Sequence, residues 1–282
     1  MKKIFLFSSI VLSSAFFACS SDDNTSSTPT EDPTLPKKRI VVAVLDNEGN
    51  VLNAQTANAN TTKDYVTAES GFQHKVLIED FTGAWCGWCP RVSSSIEELV
   101  ENNEDKIVAV ALHNNDKFAL NPHQAILSET LWLKYGYPAN PKPDDEIQRG
   151  YPFASLNRTA EWKAASNNKM NMNQATALAK PSSNIGIKIA SELGDTSGKI
   201  NVSLKFKESY TNLKYVVYVV EDNLILAQEN YTTNYGGKGK KSDFVHKDVA
   251  IAVNNVDGSV VSNSTKDSEF NSGEISVTYK KF

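Results

Sequence analysis

The residues with the clearest capacity for chemistry are two cysteines, Cys86 and Cys89, in the stretch VLIEDFTGAWCGWCP. Thiols separated by two residues can form a disulfide reversibly and exchange it with a second disulfide. A disulfide between them closes a very short loop, so it would add little to the stability of the fold. Zinc would need two further ligands, and the four histidines are scattered singly along the chain. We therefore predict a redox-active pair and no metal site, and the alternative is a pair that simply stays oxidised.

The elements around the cysteines must position them. The apolar run that begins at Val76 predicts a buried parallel strand, and the apolar spacing in Ser93–Val100 predicts a helix. Cys86 would then lie at the helix N-terminus, where free N–H groups and the helix dipole favour the thiolate. Cys89 would lie one turn further in, more deeply buried, and would act as the resolving thiol.

Three further residues complete the predicted site near the cysteines. Trp85 and Trp88 are expected to form an apolar rim that faces the substrate. Strand alternation places only one of Glu79 and Asp80 on the inward face, and we expect Asp80 to be that residue.

The motif resembles that of the thioredoxin superfamily, which also has a tryptophan directly before the first cysteine and a carboxylate, here Asp80, six residues before it. The resemblance implies that Asp80 lies beneath the cysteines and relays a proton to Cys89. More narrowly, EDFTGAWCGWCP resembles the outer membrane protein 28 family, the thioredoxin-like lipoproteins of Bacteroidetes. No cofactor is implied.

A second informative stretch is GYPFASLNR, from Gly150 to Arg158. Thioredoxins place a cis-proline opposite the cysteines at the start of a strand, and the backbone of its neighbour pairs with the substrate. By this resemblance Pro152 is the cis-proline, Tyr151 contacts the substrate and Phe153–Leu156 form the strand. The Asn157-Arg158 pair also resembles the outer membrane protein 28 family.

Length and composition limit the organisation of the chain. Its 282 residues, with 40% hydrophobic and 22% charged residues, are typical of a soluble globular protein with room for two domains. The net charge of −4, without a concentrated basic patch, argues against nucleic acid as a partner. After Pro181 the strands become short and alternating, with turn residues between them. The predicted fold class is an α/β thioredoxin-like domain followed by an antiparallel, Ig-like β-sandwich.

The expected order of segments begins with a leader. Residues 1–18 are a lipoprotein signal peptide, Cys19 is the lipidated residue, and 19–38 is a disordered tether rich in Ser, Thr, Asp and Pro. Residues 39–70 hold a β-hairpin and a linker. The thioredoxin-like domain is 71–180, with a helical insertion at about 118–146 and a closing helix over its last residues, and the sandwich is 181–282.

Two functions remain open from the sequence. The first is thiol–disulfide exchange with protein dithiols and disulfides outside the cytoplasm, in a protein held by its lipid at the periplasmic or outer face of the outer membrane. The second is a surface binding or adhesion lipoprotein, in which the two domains serve as a scaffold without enzymatic activity. Whether the protein is an enzyme, and which way electrons flow, stays undecided.

Overall fold

The computed structural model describes residues 37–140, 142 and 149–282. The described residues belong to one compact unit. The predicted signal peptide, Cys19 and most of the tether lie outside the described residues.

The described chain contains seventeen strands and three helices. The strands are β1 (Lys37–Leu45), β2 (Val51–Asn58), β3 (Thr62–Lys63), β4 (Thr67–Ala68), β5 (Gly71–Phe72), β6 (Val76–Thr82), β7 (Ile107–His113), β8 (Phe153–Leu156), β9 (Ala160–Glu161), β10 (Ile185–Leu193), β11 (Ser197–Phe206), β12 (Lys214–Asp222), β13 (Leu224–Ile225), β14 (Val245–His246), β15 (Val249–Val253), β16 (Ser259–Val260) and β17 (Glu269–Thr278). The helices are α1 (Pro90–Asn102), α2 (His123–Lys134) and α3 (Met172–Thr176).

A nine-stranded mixed sheet organises the protein. Its order is β2-β1-β12-β15-β7-β6-β8-β9, and β16 pairs with β12. Strand β7 is parallel to both β6 and β15, whereas the other pairs in this sheet are antiparallel. A second, antiparallel sheet has the order β17-β11-β10-β3.

Both faces of the large sheet are covered. On one face, alternate residues of β1 and β12 pack against β10 and β11 of the second sheet. Residues of β6 and β7 pack against Val92, Ile96 and Leu99 of α1. On the opposite face, the intervening residues pack against Leu127 and Leu131 of α2. Every residue of β6 and β7 is therefore buried, as expected for central strands of a sheet covered on both faces.

The fold class predicted from the sequence, a thioredoxin-like α/β domain followed by a β-sandwich, is wrong. The described chain is mostly β, and β12 and β15, expected in a separate sandwich, lie between β1 and β7 in the large sheet. The reason is visible in β12, where Tyr215–Glu221 are all buried. Such a run suits the middle of a doubly covered sheet better than a half-exposed sandwich strand. Packing of the second sheet on the first does fit sandwich-like content.

Several local predictions can be compared with the structure. Strands β1 and β2 pair as a hairpin, and the hairpin joins the large sheet through the pairing of β1 with β12. Helix α2 falls within the predicted insertion at 118–146. The closing helix predicted before residue 180 is wrong, because that segment contains β9 and only the five-residue α3. The domain boundary near residue 180 stays a prediction, although strands from both sides of it share one sheet.

Candidate functional site

The two cysteines of the motif form a disulfide at the carboxyl end of β6. Tight turns lead from the strand to the helix, since the Cys86 N–H donates to Gly83 O at 2.9 Å and the Cys89 N–H to Cys86 O at 3.2 Å. Helix α1 begins at Pro90, directly after Cys89, so Cys86 lies four residues before the helix and not at its N-terminus as predicted. Cys86 is 4% exposed and Cys89 is 1% exposed, so both cysteines of the disulfide are buried.

Aromatic residues predicted to face a substrate do gather beside the disulfide. Trp85 and Trp88 are 45% and 44% exposed, an unusual exposure for residues of this size. The ring of Trp85 lies edge-on to Tyr151 with centroids 5.5 Å apart. Trp88, Tyr151 and Pro152 line one groove of about 430 Å³. The structure therefore brings these four predicted residues to one surface.

Pro152 precedes strand β8, as predicted, and the Tyr151–Pro152 peptide bond is cis. Strand β8 pairs antiparallel with β6, with Phe153 opposite Phe81. This pairing carries Pro152 to the end of β6 at which the motif begins. The groove that Trp88, Tyr151 and Pro152 line is built by the entry to α1, the segment that leads into β8, and single residues after α2 and in β9.

The expectation that only one of Glu79 and Asp80 faces inward is wrong, because each is 1% exposed. The two side chains point to opposite faces of β6, and both faces are covered. Asp80 shares its face with Val76 and Ile78, which pack under α1. Glu79 occupies the other face, in a buried ion pair with Arg158.

Asp80 lines a small cavity of about 30 Å³, room for a water molecule or two. Ser93, one turn of α1 beyond Cys89, lines the same cavity. The Oδ1 atom of Asp80 is buried and has no hydrogen-bond partner. Burial, and secondarily the charge of Asp248, raise the pKa of Asp80 well above its ordinary value. Asp80 is therefore a buried acid that keeps its proton to a higher pH than an exposed aspartate does.

Glu79 belongs to a saturated polar network. Arg158 donates through Nη2 to Glu79 Oε1 at 2.7 Å and through Nε to Oε2 at 3.0 Å. The Tyr218 hydroxyl donates to the same carboxylate at 2.7 Å, and Arg158 Nη1 donates to Val256 O at 2.8 Å. Because every charged group is paired, this network ties β6 and β12 to the segment after β8.

A second polar pair, which sequence reasoning missed, holds the loop before the cysteines. Asp116 Oδ2 lies 2.7 Å from His113 Nδ1 and also accepts from the Ala84 N–H at 2.8 Å. Burial is the largest single influence and opposes ionisation of Asp116, but the hydrogen bond and charge of His113 and the N–H groups of Ala84 and Phe118 together outweigh it and lower the pKa of the carboxyl. His246 packs against His113 with ring centroids 5.0 Å apart. A histidine directly at the end of a buried strand was the only sequence signal for this pair.

Residues 228–241 form a covering segment over the motif, which is the largest feature that the sequence did not reveal. Gln228 Nε2 donates to Cys86 O at 2.9 Å and to Gly83 O at 3.3 Å. The side chain of Gln228 is 3% exposed. This amide therefore anchors the covering segment to the turn that contains the disulfide.

Backbone hydrogen bonds extend the contact along the turn. The Glu229 N–H donates to Ala84 O at 2.9 Å, and the Tyr231 N–H donates to Gly87 O at 2.7 Å. The ring of Tyr231 lies against Gly87 and edge-on to Trp88, with centroids 6.1 Å apart. The first half of the covering segment therefore buries the motif.

The site is thus a buried CxxC disulfide at a strand-to-helix junction, with exposed tryptophans and an unpaired acid close by.

Residues 147–281, just under half of the chain, match the family model described as Outer membrane protein Omp28. This match supports an outer membrane protein. No curated protein matches the chain.

Two solved structures resemble the chain at a distance. HBP35 of Porphyromonas gingivalis has 18% identity and a TM-score of 0.49 over 77% of this chain. The alignment spans 66% of that protein's length, just under two thirds. A protein of Agrobacterium tumefaciens solved by structural genomics has 14% identity and a TM-score of 0.42, over 72% of this chain and 78% of its own. Neither likeness is close enough to define a function.

No group of three or more histidine, cysteine, aspartate or glutamate side chains in residues 37–140, 142 and 149–282 could hold a metal ion. Within the same residues, no helix is long and apolar enough to cross a membrane.

Proposed function

We propose that this protein exchanges disulfides with other proteins through Cys86 and Cys89. The observation that carries the proposal is that this disulfide directly follows the strand that holds Asp80, a buried acid whose Oδ1 atom has no hydrogen-bond partner. A disulfide kept only for stability would gain little from a loop this short. A buried carboxyl without a partner is costly, and such groups concentrate at sites that transfer protons.

The chemistry balances as two successive exchanges. In the reduced protein the Cys86 thiolate attacks a sulfur of the substrate disulfide, and one substrate thiolate leaves. The Cys89 thiolate then attacks Cys86, which releases the second substrate thiolate and restores the Cys86–Cys89 disulfide. Two electrons pass from the protein to the substrate. In the reverse direction a substrate dithiol reduces the protein disulfide by the same steps.

Asp80 would manage the proton of Cys89. In its ionised form it accepts the proton as Cys89 becomes a nucleophile, and in its protonated form it returns that proton when Cys89 leaves. Burial and the charge of Asp248 raise the pKa of Asp80, which brings both forms closer to neutral pH. The small cavity that Asp80 shares with Ser93 supplies room for a water between the acid and the start of α1.

The substrate would be an extended segment of a protein, seated in the groove of Trp88, Tyr151 and Pro152. The exposed faces of Trp85 and Trp88 favour an apolar residue next to the substrate disulfide. Because Cys86 is 4% exposed, the covering segment 228–241 must shift for the sulfur atoms to meet.

The test is capture of a mixed disulfide. Cys89→Ser should hold a disulfide-bonded partner on Cys86, because the attacking thiol remains and nothing resolves the product, whereas Cys86→Ser should hold far less. The reduction potential of the pair and the rate of insulin reduction set the direction of electron flow. Asp80→Asn should slow exchange and leave both thiols in place. If neither single variant captures a partner and insulin stays oxidised, the pair is a structural disulfide within a scaffold.

Lipid anchoring at the outer membrane is proposed together with this function. A lipid on Cys19 would hold the protein at the outer membrane, which agrees with the family match. Cys19→Ser should move the protein from the membrane fraction to the soluble fraction. Continued labelling of this variant by a palmitate analogue would exclude Cys19 as the lipidated residue.

A further inference from the structure

A cavity of about 780 Å³ lies at the end of β6 opposite to the disulfide. Lys75, directly before β6, lines this cavity, whereas Cys86 follows the other end of the strand. A seven-residue strand spans about 20 Å, so the cavity is separate from the exchange site. Its volume falls within the usual range of small-molecule sites, about 300–1,000 Å³.

The cavity exists because the large sheet is incomplete there. Strand β15 pairs with β7 only at Val249 and Ala111, so the first residues of β7 lie along the cavity wall. Other walls come from the end of α1, the start of β1, the end of β2, the short strand β3, the end of β12 and residues 247–248. Distant parts of the chain therefore converge on one recess.

The cavity is lined by five cations and by four carboxylates, those of Glu101, Glu104, Asp222 and Asp248. The cations differ in their pairing. Arg39 is neutralised, since it donates to Asp222 at 2.8 Å and 3.1 Å and to Asp248. Lys63 and Lys75 differ from it. In the part of the chain that the structure describes, neither lysine has a carboxylate within ion-pair distance.

Of the two lysines, Lys75 gives the stronger evidence that the cavity suits an anion. Its side chain is 5% exposed, and its ammonium group donates to the backbone carbonyl of Glu104. Burial, and then the nearby charge of Lys63, lower the pKa of Lys75 to about 8, and Arg39 acts in the same direction. The carboxylates of Glu104 and Asp105 oppose this shift, but both side chains are exposed. A buried ammonium close to the Lys63 ammonium costs free energy, which a bound anion would reduce.

The uncharged groups of the cavity suit a polar ligand. Thr56 Oγ1 lines the cavity and is buried without a hydrogen-bond partner. Asn58 and Thr61 add an amide and a second hydroxyl on the same side. Such groups bind hydroxyls, and lysine ammonium groups bind phosphate as point charges.

We propose that this cavity binds a small phosphomonoester with a hydroxyl-bearing body, with its phosphate between Lys63 and Lys75. The hydroxyl groups of the ligand face Thr56, Asn58 and Thr61. This site does not depend on the disulfide, and it is present whether or not the cysteines exchange.

The test is calorimetric titration of the whole protein in a phosphate-free buffer of low ionic strength. The probes are inorganic phosphate, glucose 6-phosphate and glucose. Glucose 6-phosphate should bind saturably and more tightly than inorganic phosphate, and glucose should not bind. Lys63→Gln should weaken glucose 6-phosphate by about tenfold, the usual effect of losing one charge-assisted contact. Lys63→Arg should retain most of the affinity, and Lys266→Gln, at an exposed position outside the cavity, should change nothing.

A second measurement does not require a variant to fold. Acetylation of Lys75 in the unmodified protein at pH 8, read by mass spectrometry, should slow when glucose 6-phosphate is present. The proposal is overturned if neither phosphate compound binds saturably, if Lys63→Gln binds as well as the unmodified protein, or if Lys75 is acetylated at the same rate with and without the ligand.

Discussion

Replacing Asp80 by asparagine should stabilise the protein, and the gain should grow with pH. The variant keeps the shape of the side chain and removes its ionisation. In the unmodified protein, burial and the charge of Asp248 raise the pKa of Asp80 in the folded state. An acid whose folded pKa is raised binds more protons in the folded state than in the unfolded state. Stability is then lost as pH rises from the unfolded pKa, about 3.9, to the folded one.

The magnitude follows from proton linkage. Within that window the unmodified protein loses about 1.4 kcal/mol of stability for each pH unit relative to the variant. The difference between the two proteins should be small near pH 4 and should increase steadily above it. It should level off at the folded-state pKa of Asp80. The pH at which the curve flattens therefore measures that pKa directly.

The assay is urea unfolding of the oxidised proteins between pH 4 and pH 8, followed by tryptophan fluorescence. Trp162 is 1% exposed and should report the loss of the core. Subtracting the two curves cancels other titrating groups, which are shared by both proteins. Asp257→Asn, at an exposed turn, removes a carboxylate outside the core and is the matched control. A pH-independent difference for Asp80→Asn would refute a raised pKa, and with it the proton-transfer role.

Three further outcomes are expected. Arg158→Met should lower the free energy of unfolding by about 3–5 kcal/mol, because it leaves the Glu79 carboxylate buried and unpaired. Combining it with Glu79→Met should recover much of this loss, as measured by urea unfolding. Gly87→Ala should destabilise the protein by about 1–3 kcal/mol, since the added carbon would lie 2.4 Å from the Tyr231 ring. The same variant should speed alkylation of Cys86 after reduction. An unchanged alkylation rate would show that the covering segment does not limit access to Cys86. Burial, and secondarily the charge of a neighbouring histidine, lower the pKa of His246 to about 4. The unfolded state therefore binds more protons between about pH 4 and 6.5, and stability should fall on acidification through this window. His246→Gln should reduce the dependence of stability on pH there, and an identical dependence would contradict the lowered pKa.

Local patterns in the sequence were sufficient for the parts of the site that are built locally. The spacing of Cys86 and Cys89 predicted a reversible pair, and the structure shows them joined. The apolar run before them predicted strand β6, and the helical spacing after them predicted α1. Pro152 and the strand after it were predicted by resemblance and are present. Strand β6, the cysteine pair and α1 depend on residues close to one another in the sequence.

The tertiary structure alone decided which strands share a sheet and what covers the motif. Alternation along β6 suggested one buried acid, but covering the sheet on both faces buried Glu79 and Asp80 alike. Gln228 reaches the carbonyl of Cys86 across 142 positions of sequence, and no local pattern marks that contact. Periodicity records how much of a strand is buried but not which strand lies beside it. Sheet order and loop docking are set by the packing of distant segments, and they determine how far Cys86 is accessible.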